Sequence, residues 1–336
     1  MTSATLTDYR GLSCYTANLT AYLDAEFDAG ELVFRSVRTA VRTDLVPGRL
    51  AFSHHRVRLE RLPDGSRLRH RAARTAADAL DAVADQVRRY GRALVVVDNR
   101  RLPWSPAVRT APHWLLVDGP CGAAGWPVRD EFSGLLPAGE QLPFAGRLTS
   151  RQLADAMDAP EWNEQQRVRN RLACGFPLAV PDAPGRWWLE RTTEPAGAAE
   201  PLPGRWLTDE LPALAFLGDR LADSAEALAR HLDDCWALAG HHCFALRHAL
   251  AGAAAGEPAR TDLETAEARW AALPRMLRMA AESAERGRPR PGIVRRAFAE
   301  VGAAQHAAQR AVPDPVPAPI PVPRSTTPQP STGDQP

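Results

Sequence analysis

The apolar pattern of this chain changes at Thr208, and this change limits the folds that the chain can adopt. Between 208 and 311, three long segments carry apolar residues at the spacing of an α-helix. Before Thr208, apolar residues occur mostly in short runs of strand length, separated by turn residues. The sequence therefore predicts an α+β fold, in which a mixed N-terminal domain (1–207) precedes a helical C-terminal domain (208–311).

The final segment, 312–336, has a different composition from both predicted domains. It is rich in proline and has almost no large apolar residues. Such a segment cannot bury enough apolar surface to offset the entropy of ordering it. We therefore expect a disordered, polyproline-like tail.

Within the first domain, several elements have clear local signals. The segment 75–91 predicts an amphipathic helix, with Thr75 as its N-cap and Gly91 at its end. The runs "ALVVVD" and "HWLLVDG" predict two buried, neighbouring strands joined by a long loop that contains prolines. "WPVRDEF" predicts a third strand, and "TSRQLADAM" a short helix capped by Thr149 or Ser150.

Other elements are less sharply defined. "HRVRLERL" and "SRLRHRA" alternate apolar and polar residues on either side of "PDG", which favours a β-hairpin. "ELVFRSVRTAV" fits either a helix or a strand, and "RWWLERTTE" fits a last strand.

Composition excludes several classes of partner. The 41 basic and 40 acidic residues give a net charge of +1, which provides no footprint for nucleic acid or an anionic membrane. No apolar run approaches the ~20 residues of a membrane span, and the first residues lack a signal-peptide pattern. The chain has five cysteines, which is an odd number, and none of them form a CxxC pair. We therefore expect a cytoplasmic protein with free thiols.

The stretch "GLSCYTANLTAYL" places Cys14 at the predicted start of a helix. Thiol chemistry needs the thiolate, and a free cysteine with a pKa of ~8.5 is only a few per cent ionised at neutral pH. A helix N-terminus and a neighbouring imidazolium both stabilise a thiolate. His113, which opens the second predicted strand, suits that role, although Cys14 also fits a small apolar core residue.

A carboxylate on the next strand would fix the tautomer of such a histidine. Asp130 lies in that strand, and Asp118 and Glu131 are its competitors. Alternation from Val128 places Asp130 on the same face as Val128 and Glu131 on the opposite face. The sequence therefore favours a site of Cys14, His113 and Asp130.

The same segments carry a family resemblance. "GLSCYTANLTAYL", "ALVVVDNRRLPW", "HWLLVDG" and "VRDEFSG", within about residues 8–158, resemble the papain-like family named after the butirosin-biosynthesis acyltransferase, and more distantly the bacteriocin-leader peptidases. The helical C-terminal part is similar to the all-helical appendage common there. The resemblance implies a papain-like fold, with a cysteine helix packed on a small antiparallel sheet, Cys14 as nucleophile, His113 as base and Asp130 as orienting acid.

The chain departs from that family in two places. Ser13 stands where the family often has histidine directly before the cysteine. "TDYRGLSC" also lacks the upstream glutamine that leader peptidases use in the oxyanion hole. The second departure counts against a peptidase.

Together these observations predict a cysteine-dependent acyltransferase that needs neither cofactor nor metal. The resemblance implies that an acyl group moves from the phosphopantetheine thioester of an acyl carrier protein to a small amine-bearing acceptor in natural-product biosynthesis. Trp104, on the loop before His113, could contact the pantetheine arm, and Asn18, one turn after Cys14, could act as a supporting or oxyanion group. The alternatives are a cysteine peptidase or amidase, and a non-catalytic scaffold with the same fold.

One further segment, "HLDDCWALAGHHCFALRH", brings His231, Cys235 and His242 near one helical face. That pattern permits a metal site, which would need a fourth ligand. A helix with buried thiols and with histidines at its edge is the interpretation we favour.

Overall fold

The computed structural model describes residues 9–136, 139–158, 162–181, 184–193, 201–252 and 257–311. The predicted tail, 312–336, lies outside the described residues. Across the described ranges, no helix has the length and apolar character needed to span a membrane.

The fold is α+β, with antiparallel sheets and a helical C-terminal region. The helices in the described residues are α1 (Cys14–Leu23), α2 (Ala29–Ser36), α3 (Ala76–Tyr90), α4 (Ser150–Met157), α5 (Glu164–Arg171), α6 (Glu210–Asp223), α7 (Ala225–Arg230), α8 (Leu232–Gly252), α9 (Glu257–Glu285) and α10 (Pro291–Ala311). The strands are β1 (Val37–Arg42), β2 (Phe52–His55), β3 (Arg67–Ala73), β4 (Ala93–Asp98), β5 (Pro112–Val117), β6 (Trp126–Asp130), β7 (Gly134–Leu136), β8 (Gly139–Gln141), β9 (Phe144–Leu148), β10 (Arg186–Thr192) and β11 (Trp206–Leu207).

The largest sheet has the order β3-β10-β4-β5-β6-β9, and each neighbouring pair is antiparallel. The predicted neighbours β4 and β5 pair from Ala93↔Val117 to Asp98↔Pro112. Helix α1 covers one face of this sheet, where Leu19 joins an apolar cluster with Trp114. Helices α3 and α4 cover the other face. The sheet therefore has its central strands buried on both sides, which explains their uninterrupted apolar sequences.

Local capping signals predict helix ends well. Thr75 Oγ1 accepts a hydrogen bond from the Asp78 N–H at the start of α3, and Gly91 ends that helix with φ of 74°. Thr149 forms a capping box with Gln152 at the start of α4. These ends are set by residues within one turn, so sequence alone predicts them.

The predicted hairpin on either side of "PDG" forms only next to its turn. Its second arm becomes β3, but β3 pairs along its whole length with β10, the uncertain last strand. The first arm joins the second through the bridge Arg61↔Arg67 and the backbone hydrogen bonds from Leu62 to Ser66 and from Leu68 to Glu60. Leu59 and Leu62 of that arm instead enter the core under α1, and this burial outweighs local pairing. The ambiguous "ELVFRSVRTAV" proves to be both elements, since α2 ends at Ser36 and β1 begins at Val37.

The helical region packs directly on the segment that leads to Cys14. Helix α8 crosses that segment at Gly240, where a Cβ atom would lie 1.7 Å from the carbonyl oxygen of Gly11. Gly11 itself has φ of 90°, a conformation that favours glycine. Arg247 of α8 donates to the Arg10 carbonyl at 2.7 Å. Both glycines are thus required for this close approach.

Candidate active site

Cys14 is the first residue of α1, as the sequence predicts. The preceding Ser13 is the N-cap, and its hydroxyl accepts a hydrogen bond from the Thr16 N–H at 3.3 Å. All later residues of α1 are buried, whereas Cys14 is partly exposed. The thiol therefore lies at the positive end of the helix dipole, with access to solvent.

Strands β5 and β6 separate in front of Cys14. They pair at Leu116↔Arg129 and Val117↔Val128. Continuing that register would oppose Trp114 and Glu131, but the Asn18 carboxamide lies between them. Asn18 Nδ2 donates to the Trp114 carbonyl at 2.8 Å, and Asn18 Oδ1 accepts from the Glu131 N–H at 3.0 Å. Asn18 thus replaces one rung of the ladder and fixes α1 to both strands.

His113 and Asp130 meet across this gap. His113 Nε2 lies 2.9 Å from Asp130 Oδ2, and both side chains are almost fully buried. Since Asp130 occupies Nε2, Nδ1 is the ring nitrogen that remains for the Cys14 thiol. The pair therefore has the order expected for an imidazole oriented by a carboxylate.

Asp130 is held by several further donors. Oδ2 accepts hydrogen bonds from Trp104 Nε1 and Gln141 Nε2, each at 2.9 Å. Oδ1 accepts from Asn18 Nδ2 and from the Phe132 N–H, each at 3.1 Å. A carboxylate with this many donors is stabilised in its ionised form and has little freedom to move.

The titration of these groups follows from the geometry. Burial opposes the charged form of His113, but the charges of Asp130 and Cys14, with their hydrogen bonds, outweigh burial and raise the pKa of His113 to about 10. Burial also opposes ionisation of Asp130, yet the charge of His113 and the surrounding donors lower the pKa of that carboxyl. The site thus holds an imidazolium beside Cys14 at neutral pH.

The thiol opens into a cavity of about 230 Å³ between the two regions of the chain. Its walls are largely apolar, with a polar group, Arg169 and Asp234, on one side. The side chains that shape it are Leu50, Phe52, His54, Phe132, Leu172, Leu232, Asp234, Trp236 and Arg169. Because helix α8 supplies part of the wall, the helical region belongs to the site.

Asp234 forms the centre of that polar group. It accepts hydrogen bonds from Arg169 Nε at 2.6 Å and from Gln165 Nε2 at 2.6 Å, and it lies 2.7 Å from His231 Nδ1. His231 Nε2 accepts from the Leu50 N–H at 3.1 Å. Burial opposes ionisation of Asp234, but Arg169 and His231 lower the pKa of its carboxyl well below the usual range. This network joins α5, α8 and the segment before β2.

The structure brings the five residues named from sequence into one network. Trp104 donates to Asp130, and its ring stacks on Phe144 with centroids 3.9 Å apart. It is not among the residues that line the cavity, so its contact with a pantetheine arm stays a prediction. The Asn18 carboxamide hydrogen-bonds to backbone groups of Cys14, Trp114 and Glu131 and to the Asp130 carboxylate. Its geometry suits a supporting role.

Asp118 and Glu131, the alternatives to Asp130, pair with Arg129. Asp118 lies 3.4 Å from Arg129 Nη1, and Glu131 also pairs with Arg129. In the possible metal segment, Cys235 belongs to the helical core, and His242 stacks on Trp270 with centroids 4.1 Å apart. Among the described residues, no group of three or more His, Cys, Asp or Glu side chains is arranged to hold a metal ion.

Sequence analysis missed His54 and the Asp234 network. His54 reaches the cavity from β2, and Arg169 and Asp234 reach it from α5 and α8. The adjacent pairs "HH" at 54–55 and 241–242 were the available signal for His54, and the Asp234 network has no such signal.

A scan against protein-family models finds no match, and a search of curated proteins finds none either.

Proposed function

We propose that this protein is a cysteine-dependent acyltransferase with a papain-like fold, which transfers an acyl group from a carrier-protein thioester to an amine. The observation that carries the proposal is the buried His113–Asp130 pair beside Cys14, at the opening of a largely apolar cavity. A helix that begins at the thiol and packs on an antiparallel sheet supports the papain-like assignment.

In the first step, the Cys14 thiolate attacks the thioester carbonyl and forms a new C–S bond. The bond to the pantetheine sulfur breaks, and the proton of the His113 imidazolium goes to the leaving thiolate. The cysteine is now a neutral thioester, so its charge no longer raises the pKa of His113. The neutral imidazole is then able to act as a base.

In the second step, the acceptor amine attacks the acyl group on Cys14 and loses a proton to His113. The C–S bond breaks and restores the thiolate beside an imidazolium. Asp130 keeps the same ring orientation through both steps, because its other donors do not depend on His113. The products are an amide and the free carrier thiol.

The choice of a thioester over an amide substrate is supported by the cavity glutamines. Gln141 donates to Asp130, Gln165 to Asp234, and Gln166 to the Thr110 carbonyl. Each glutamine thus already donates to a protein group. A thioester has a good leaving group and needs less oxyanion stabilisation than a peptide bond. The proposal places the protein in the cytoplasm, where its free cysteines stay reduced.

The test is intact-mass analysis after incubation with an acyl-loaded carrier protein and with acyl N-acetylcysteamine thioesters. We expect one acyl adduct on the wild type and none on Cys14→Ala. Cys121→Ala is the matched control, since Cys121 is an exposed cysteine outside the site, and it should acylate normally. An adduct that persists in Cys14→Ala would show that the nucleophile is wrongly assigned, and cleavage of peptides dependent on Cys14 would favour the peptidase.

A further inference from the structure

One residue that lines the cavity beside Cys14, His54, has a ring nitrogen without a hydrogen-bond partner among the described residues. Its Nδ1 atom is buried and makes no hydrogen bond. Its ring stacks on His241 of α8, with centroids 4.8 Å apart and planes 12° from parallel. Two other buried polar residues of the wall, Asp234 and Gln141, are engaged with protein groups. His54 differs from them because its Nδ1 atom has no hydrogen-bond partner among the described residues.

The protonation state of His54 determines whether each ring nitrogen donates or accepts a hydrogen bond. Burial, with the neighbouring His241, lowers the pKa of His54 well below its usual value, and Asp234 only partly opposes this. The ring is therefore neutral at pH 7. An orphaned buried N–H is rarer than an orphaned acceptor, which favours the tautomer with its hydrogen on Nε2. Nε2 then carries the hydrogen, and because it is not among the buried atoms without a partner, it is the nitrogen able to donate into the cavity that His54 lines.

The rest of the wall favours apolar material. Leu50, Phe52, Leu172 and Phe132 are each buried by at least nine-tenths and still line the cavity. Trp236 of α8 extends this surface and packs edge-to-face on Phe132. Burial of a chain against such a wall contributes favourably for every methylene removed from water.

From these two features we infer that the cavity binds the acyl group of the donor as an apolar chain with one hydrogen-bond acceptor, a keto, hydroxyl or amide oxygen, which Nε2–H of His54 contacts. The inference rests on the proposed function, since it names the class of acyl group that Cys14 receives. His54 is then a specificity-determining residue, and α8 fixes it through the stack on His241.

The experiment measures binding without requiring acyl transfer. Cys14 is alkylated with iodoacetamide, with N-hexyl iodoacetamide, and with a series of N-hexyl analogues that carry a keto oxygen at successive chain positions. Rates are taken from peptide mass spectra at reagent concentrations below saturation. Cys121, which is exposed, reacts in the same samples and serves as the internal control.

For wild-type protein, we expect the hexyl chain to speed Cys14 alkylation about tenfold relative to iodoacetamide, with no such preference at Cys121. One keto position should then react about fivefold faster than the plain hexyl reagent, as one neutral hydrogen bond allows. In His54→Phe the keto preference should disappear while the hexyl preference remains. His54→Gln, which keeps a donor, should retain part of it.

Two results would overturn the inference: no acceleration by the hexyl chain at Cys14, or a keto preference that survives in His54→Phe. Thermal melting of each variant shows whether it has folded, and His54→Gln supplies the comparison if His54→Phe has not. A chain preference at Cys14 without any acyl adduct from thioesters would leave the cavity assignment standing and contradict the acyltransferase. The two proposals therefore fail separately.

Discussion

His113 and the histidines at the contact between β2 and α8 differ in charge, although burial opposes the charged form of all of them. The interface histidines, as we call this second group, are His54, His55, His241 and His242. Burial is the largest cause acting on each, and it lowers the pKa of all four interface histidines, to about 4 for His241. In His113 the neighbouring charges outweigh it. Burial alone therefore does not determine the charge of a histidine in this fold.

His242 makes the difference instructive, because it also has a carboxylate nearby. Its Nε2 lies 3.1 Å from Glu210 Oε1, but Glu210 is also bound by Thr39 and Gln309 and is partly exposed. Asp130 is fully buried and immobilised. A carboxylate shielded from water acts more strongly on its histidine than a partly solvated one.

The largest expected effect is the loss of stability in acid. Each interface histidine has a folded-state pKa below its unfolded value of 6.5, so the unfolded chain binds more protons once the pH falls below 6.5. Their contribution is present above pH 6.5 and is lost as the pH falls below it, and for His241 the loss continues toward about pH 4. Lowering the pH from 7 to 5 should cost about 2 kcal/mol of unfolding free energy through His241, with further losses in the same direction from the other three. Denaturant unfolding at both pH values measures this.

His241→Gln tests the assignment. It should be less stable than wild type at pH 7, but its stability should fall less steeply between pH 7 and 5. If wild type and His241→Gln lose stability in parallel, the interface histidines are not the acid-sensitive groups.

The second prediction concerns the charged histidine. Replacing His113 with Gln removes the imidazolium beside Cys14, and a thiol without such a partner is only a few per cent ionised at pH 7. Alkylation of Cys14 should slow about thirtyfold. His70→Leu is the matched control, because burial lowers the pKa of His70 to about 3 and its ring contacts Trp114, the residue after His113. An equal slowing in both variants would mean that folding, and not the imidazolium, is responsible.

These two regions also show where sequence analysis succeeds. The start of α1 at Cys14 and the neighbouring strands β4 and β5 depend on caps and continuous apolar runs, which are local signals. Asn18 is different, because its role depends on where β5 and β6 stop pairing. His54 likewise becomes part of the cavity only through α8, which lies far along the chain. The hairpin predicted around "PDG" forms only next to its turn for the same reason, because β3 pairs with β10, which is distant in sequence.

A smaller effect is expected from Trp104→Phe. The variant removes one of the donors to Asp130 and keeps the aromatic stack on Phe144. With the remaining donors still in place, Cys14 alkylation should slow only about threefold through looser positioning of the pair, and the His113 pKa measured by NMR should rise, because the Asp130 charge is then shared among fewer donors. Trp126→Phe loses a hydrogen bond to Ser150 instead, and should leave both quantities unchanged.

The smallest effect on Cys14 itself is expected from Thr39→Val at the interface. Thr39 Oγ1 lies 2.9 Å from His242 Nε2 and donates to Glu210 at 3.1 Å. Its loss should cost about 1 kcal/mol of unfolding free energy, as for a typical buried hydrogen bond. Cys14 alkylation should stay at the wild-type rate, and a change in that rate would show that the two regions are coupled more tightly than their contacts indicate.

The contact between Gly11 and Gly240 also sets the order of events during synthesis of the chain. The segment that delivers Cys14 leaves the ribosome early, but the surface of α8 that holds it is made much later. Until then the backbone of Gly11 is not covered by α8. The segment that leads to Cys14 therefore reaches its final packing only after α8 has been synthesised.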